Sequence, residues 1–235
     1  MSSKNKLVNI NNIFRALSFE SYCLIKLSEI FPDYKVGSDV DIFCLNVDKI
    51  TSIILKELNP ICNENISIKV TRNIYHIYID IIENHSINFR FDLYGSMPIY
   101  KNIQIKSSYF SSIIENSIQK SFKNENFFVK VPSKIDDSIL RYIEYQEWYS
   151  ERPDKIKHID YLNEKISNKE LDLNKMLDKL HYYITVPLNF DNRISSKNKY
   201  IRNIYFWSNL IKKGLFQLRN KGVGSAFKKV KKHFA

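Results

Sequence analysis

Three β-prone runs, Ile66–Val70, Ile74–Ile81 and Ser86–Leu93, follow one another with only the turns at Asn73 and Glu83-Asn84-His85 between them. Connections this short join antiparallel neighbours, because parallel strands need a crossover of about a dozen residues or more. An antiparallel meander is therefore the expected centre of the fold. Two more β-prone segments precede it, Ser21–Lys26 and Asp39–Leu45. Apolar residues at helical spacing predict helices over Leu7–Ser18 (Ile10, Ile13, Phe14, Leu17) and Val47–Leu58 (Ile50, Ile53, Ile54, Leu58), the second stopped by Asn59-Pro60.

Beyond Gly95 the pattern changes. Periodic stretches near Ser108–Phe122, Asp137–Glu151, Asp154–Ile166, Glu170–Tyr183 and Tyr200–Leu218 predict helices. The class expected is α+β, a small sheet unit followed by a helical region, with the change somewhere between Pro98 and Pro132. We set the divisions at 1–105, 106–220 and 221–235. Five glycines among 235 residues leave little material for a glycine-rich phosphate loop. Cys23, Cys44 and Cys62 lie far apart in hydrophobic settings, which predicts reduced, buried thiols in a cytoplasmic protein. The N-terminus lacks the apolar stretch of a secretory signal, and no run approaches the roughly 20 apolar residues of a membrane span.

Chemistry concentrates in Gly37-Ser38-Asp39-Val40-Asp41-Ile42-Phe43. Asp39 and Asp41 are two apart on a strand and project from one face, with Val40 and Ile42 on the other. Two like charges beside an apolar core repel one another and lose solvation, and a bound cation resolves both costs. Oxygen ligands without His or Cys nearby favour Mg²⁺ or Mn²⁺ over zinc. A third acid ends Ser86–Leu93, where alternation puts Asn88, Arg90 and Asp92 on one face and Ile87, Phe89, Phe91 and Leu93 on the other. An isolated Asp-x-Asp is also common on solvated strand edges. The small-residue turn before it, the apolar run after it and the second acid-tipped strand favour the metal site. His76, His85 and His181 have no companion at ligand spacing and read as surface or satisfied core residues.

Gly37-Ser38-Asp39-Val40-Asp41-Ile42-Phe43, preceded by a strand and followed by a helix and an acid-tipped strand, resembles the nucleotidyltransferase fold of the polymerase-β superfamily over residues 8–95. The family spacing takes Tyr22–Lys26 as the first strand, so Ile25-Lys26-Leu27-Ser28 stands where the family carries a Gly-Ser phosphate turn. Phe91-Asp92-Leu93-Tyr94, together with Leu140–Tyr145 and Arg152–His158, is similar to a divergent branch found among bacterial surface-polysaccharide genes. The resemblance implies a mixed sheet with flanking helices in a catalytic domain over 1–105. It implies that Asp39, Asp41 and Asp92 bind Mg²⁺ or Mn²⁺, with Asp92 also activating the acceptor. Lys26, Ser28, Ser38 and Arg90 would then contact phosphate. The donor would be a nucleotide or another activated phosphate, and the acceptor small or lipid-linked, in surface-glycan synthesis. Rival readings are an Asp-x-Asp glycosyltransferase using a sugar nucleotide, an RNA-directed nucleotidyltransferase or toxin, and a non-catalytic membrane- or RNA-binding module.

Lys155, Lys157 and His158, with Arg141 a helix earlier, suit either a basic wall facing substrate phosphates or a solvated helix face paired with Asp154 and Asp160. Tyr142, Tyr145, Trp148 and Tyr149 fall at helical intervals and read first as core or interface, and second as residues that stack on a base or sugar. The formal charge of +11 belongs to the tail: residues 192–235 carry twelve Lys and Arg and no acid, while the other 191 residues hold 24 basic and 25 acidic groups. In its last part Phe227, Val230 and Phe234 share a side, flanked by Lys228, Lys229, Lys231 and Lys232. That pattern suits the anionic inner face of a membrane, with nucleic acid a weaker match and a simple basic tail the plain alternative. Deleting 222–235 is expected to release the protein from phosphatidylserine vesicles in a sedimentation assay. Unchanged co-sedimentation would remove the membrane role.

Overall fold

The computed structural model describes residues 7–100, 103–122, 127–148 and 155–185. The expected helix at Tyr200–Leu218, the basic tail, Tyr149 and Arg152-Pro153-Asp154 lie outside the described residues. Among those described, the helices are α1 (Ile10–Ala16), α2 (Val47–Leu58), α3 (Ser108–Glu115), α4 (Lys134–Trp148), α5 (Ile156–Ser167) and α6 (Leu173–Tyr183). The strands are β1 (Tyr22–Ile25), β2 (Ser38–Cys44), β3 (Ile66–Arg72), β4 (His76–Glu83), β5 (Ser86–Tyr94), β6 (Gln104–Ile105), β7 (Ile118–Ser121), β8 (Phe128–Val131) and β9 (Ile184–Thr185). The class is α+β, as expected.

The chain divides into two compact units. The first takes in the residues through Ile99, then those of Ile105–Asp137 and Tyr182–Ile184. Its sheet has the order β1-β2-β5-β4-β3, and only β2 and β5 run parallel. Strands β3, β4 and β5 make the expected meander. Asn84 and His85 join β4 to β5 with φ of 48° and 63°, the left-handed pair that a two-residue hairpin turn needs.

Register sorts the side chains onto two faces. Leu24, Ile42, Leu93 and Ile77 form one cross-strand row, and Val40, Phe91, Ile79 and Val70 the next. This apolar face packs against Ile13, Phe14 and Leu17 of α1 and Ile50, Ile54 and Leu58 of α2. Local chemistry sets where the helices start. Asn9 accepts from the Asn12 amide at 3.2 Å and Asn46 from the Lys49 amide at 3.0 Å, so each satisfies an amide of the first helical turn. Ser133 does the same for α4, accepting from the Asp136 amide at 3.2 Å while its hydroxyl donates to Asp136 Oδ2 at 2.6 Å.

Two expectations need correction. Ser108–Phe122 is not one helix: α3 stops at Glu115, and β7 pairs antiparallel with β8. Asn116 Nδ2 and Ser117 Oγ donate to the carbonyls of Ser112 and Ile114, taking acceptors from the last turn, and Phe127, Val129 and Val131 then add to the sheet core. Cys23 and Cys44 are buried as expected, but Cys62 is exposed because it follows a short 3₁₀ turn at Asn59–Ile61 that carries the chain off α2.

The second unit contains Ser138–His181 among its residues, with Tyr142, Ile143, Ile159, Leu162, Met176 and Leu180 buried. Tyr145 is buried too, in keeping with a core role. No described helix is long and apolar enough to cross a membrane. Phe91 sits at the centre of the apolar face with no exposure. Phe91→Ala is expected to destabilise the protein by roughly 3–5 kcal/mol in chemical denaturation, the usual cost of an aromatic-sized cavity.

Candidate active site

The second face of the sheet is polar where the first is greasy. Parallel pairing of β2 with β5 sets Asp41 directly opposite Asp92 and Asp39 opposite Arg90. Antiparallel pairing of β4 with β5 then sets Tyr78 opposite Asp92 and Asp80 opposite Arg90. Adjacent strands lie about 4.8 Å apart, so residues paired in register share a face as close neighbours. The sequence-predicted acids Asp39, Asp41 and Asp92 are therefore brought to one face by two strands fifty residues apart in sequence. Further along β2, Phe43 continues this face and meets Phe110 of α3 with ring centroids 5.0 Å apart. That contact closes the face beyond the acids.

The three carboxylates differ in environment. Asp39 is exposed and Asp41 half-buried. Asp41 Oδ2 lies 2.8 Å from Lys26 Nζ, and its Oδ1 accepts from the Tyr94 hydroxyl at 3.3 Å. Burial and the neighbouring carboxylates hold that phenol protonated, raising it above its ordinary value. Asp92 is 7% exposed, and its Oδ1 has no hydrogen-bond partner among the described residues. Burial, with the charges of Asp41 and Asp39, pushes its carboxyl up to about 7. Arg90 is 3.9 Å away but turned to Asp80, whose Oδ1 is 2.5 Å from Arg90 Nε.

Asp80 was not singled out in the sequence. Its signal was there: His76, Tyr78 and Asp80 alternate with Ile77, Ile79 and Ile81, the pattern that identified Arg90 and Asp92 on β5. His76 belongs to the same row as Tyr94 and stacks on it with centroids 4.0 Å apart. Its Nε2 is buried without a hydrogen bond, and burial lowers its pKa.

The remaining predicted residues fall in two places. Lys26 follows β1 with φ of 52°, a left-handed conformation that L residues adopt at some cost, and this turn delivers its ammonium to Asp41. Ser28 is exposed and its Oγ accepts from the Ile30 amide at 3.4 Å. Ser38 donates to the Lys35 carbonyl at 2.6 Å, in a turn where Gly37 has φ of +80° and its amide donates to the Asn88 carbonyl at 2.7 Å. A side chain at Gly37 would be strained there. Lys155, Lys157 and His158 belong to the second unit. There Lys155 and His158 are buried and approach Glu144 Oε2 at 2.5 and 3.4 Å, while Lys157 is exposed. Burial lowers the pKa of His158, offset in part by Glu144.

Among the described residues, no three His, Cys, Asp or Glu side chains converge as a ready-made metal cage. Mg²⁺ does not require one. It is commonly held by one or two carboxylates, with water and substrate phosphates filling the other positions. The Asp41–Asp92 pair, with an oxygen of Asp92 buried and unbonded and Asp39 at the rim, fits an open site of that kind.

No family model matches the chain, and no curated protein matches it. Among solved structures, an H. pylori protein provisionally described as a nucleotidyltransferase aligns over 88% of this chain and 96% of its own, with 7% identity and a TM-score of 0.34. A likeness that loose assigns neither fold nor function, and the chemistry is read from the side chains alone.

Without metal, the Asp92 carboxyl titrates near 3.8 in the unfolded chain and near 7 in the folded one. The folded chain thus binds the proton more tightly, so this group's stabilising contribution is complete below about pH 4 and lost as pH rises through about 7. The difference corresponds to at most about 4 kcal/mol. In EDTA, wild-type melting temperature is expected to fall between pH 5 and 8. Asp92→Asn should flatten that slope and melt above wild type at pH 8; parallel curves would show that Asp92 is not the group responsible.

Proposed function

We propose that the chain is a metal-dependent transferase of the nucleotidyltransferase fold, moving a nucleotidyl or phosphoryl group to a hydroxyl or phosphate of a small or lipid-linked acceptor. The observation that carries this reading is the in-register pair Asp41 and Asp92, with Asp39 two residues back and Asp92 Oδ1 buried without a hydrogen bond. A Mg²⁺ or Mn²⁺ ion held there would offset the charge gathered on the transferring phosphoryl group. With Asp92 Oδ1 given to the ion, the other carboxylate oxygen of Asp92 would take the proton of an acceptor hydroxyl. Lys26 and Ser28 follow the end of β1 beside the start of β2, where Ser38 also lies, so the three share the edge at which a phosphate chain would enter. Lys26 supplies charge and the serines supply hydroxyls. Tyr94 steadies Asp41 by donating to Oδ1, and Lys26, 2.8 Å from Oδ2, would turn from that oxygen to the substrate phosphates when a cation takes it.

Surface-glycan synthesis is the setting we favour, on the resemblance of the Phe91–Tyr94 strand to that branch. The basic tail would hold the protein at the inner membrane face near a lipid-linked acceptor. Mn²⁺ soaked into crystals is expected to give anomalous density between Asp39, Asp41 and Asp92. In a screen of nucleotides and sugar nucleotides with Mg²⁺, the true donor should raise the melting temperature of the wild type. Asp41→Asn should keep the fold and lose roughly 100-fold or more in turnover of that donor, the scale of removing one charged group that stabilises a transition state. Density elsewhere, or full activity in Asp41→Asn, would sink the proposal.

A further inference from the structure

Arg90 stands among three carboxylates and pairs with the one farthest from the Asp-x-Asp strand. Asp39 lies opposite it on β2, Asp80 opposite it on β4, and Asp92 two residues along its own strand on the same face. Its Nε is 2.5 Å from Asp80 Oδ1 and 3.9 Å from Asp92 Oδ1. The guanidinium also lies over the Tyr78 ring, 5.0 Å from its centroid, which favours the β4 side. Asp80 is 6% exposed, so its charge needs this partner as much as Arg90 needs Asp80. As a result the strongest fixed cation on this face is neutralised away from β2, and Asp92 Oδ1 keeps no hydrogen bond although an arginine is its neighbour.

Resting on the metal-site reading above, we propose that Asp80 is a positioning residue of the carboxylate site: by holding the Arg90 guanidinium it keeps that cation off Asp92 and leaves Asp92 Oδ1 open to a divalent ion. Without the Asp80 charge, Arg90 has Asp92 as its nearest buried carboxylate. The guanidinium then competes with the metal for one oxygen. Partners that orient metal ligands typically alter affinity by about 10–100-fold, and the loss of Asp80 belongs in that range.

The test is Mn²⁺ affinity measured by isothermal titration calorimetry on the full chain. Asp80→Asn is expected to bind Mn²⁺ about 10–100-fold more weakly than wild type, and Asp80→Asn with Arg90→Met to regain most of the loss. Wild-type affinity in Asp80→Asn, or a loss that Arg90→Met does not restore, would overturn the proposal. Should Asp80→Asn fail to fold, two double variants decide: Asp80→Asn with Arg90→Lys, which keeps a cation beside Asp92, binding Mn²⁺ more weakly than Asp80→Asn with Arg90→Met supports the competition, and equal affinities overturn it. If wild type itself does not bind Mn²⁺, the metal reading fails, and a crystal structure of metal-free Asp80→Asn still judges Asp80. Arg90 hydrogen-bonded to Asp92 would support its positioning role, and Arg90 unmoved would refute it.

Discussion

The parallel pairing of β2 with β5 is the constraint on which the site depends. Every other contact in the sheet is antiparallel, and an antiparallel neighbour joined by a hairpin could have filled this place as well. Instead β5 returns from the far edge of the meander to lie beside β2, and Asp41 meets Asp92. A slip of one residue would turn Asp92 into the apolar core and Phe91 or Leu93 onto the acid face, because side chains alternate along a strand. The apolar face forbids this. Val40 and Ile42 must meet Phe91 and Leu93 for the core under α1 and α2 to close. Hydrophobic packing on one face thereby holds together like charges on the other.

That arrangement accounts for the polar groups around it. Two carboxylates on adjacent strands at the border of a core raise the free energy of the folded, metal-free chain. The structure offsets this in three ways. Lys26 reaches Asp41 from a left-handed turn, Tyr94 donates to the same carboxylate, and Asp92 holds a proton to near neutral pH. Arg90 could have met the same need at Asp92 and is held by Asp80 instead. Strained backbone and buried oxygens without a hydrogen bond recur where a site is built for something the chain alone does not supply. Here the left-handed residue, Lys26, reaches Asp41, and Asp41 stands opposite Asp92, whose Oδ1 is the buried oxygen without a hydrogen bond.

Much of the first unit was legible from the residues. Alternation in Ser86–Leu93 separated Arg90 and Asp92 from Phe89 and Phe91, and helical spacing placed Val47–Leu58 with the ends it has in the structure. The antiparallel pairing of β7 with β8 was not legible. Ile118–Ser121 is exposed throughout, so no buried stripe marks it, and its partner strand begins only at Phe128. Asp80 escaped for another reason. A single acid in an Ile-rich strand looks like an ordinary solvent-facing residue until its cross-strand neighbour is known to be Arg90.

The sequence by itself determined the carboxylate face of each strand, because side-chain direction along a strand follows from a period of two and needs no partner. It determined the meander, through the shortness of its turns, and the acids as the place to look for chemistry. Only tertiary structure decided which carboxylate stands beside which cation. That choice depends on strand order and register: Lys26 and Asp41 come together across β1 and β2, and Arg90 lies between Asp39 and Asp80 although neither is near it in sequence. Charges act through space, and the distances that set their strength exist only once the strands have paired.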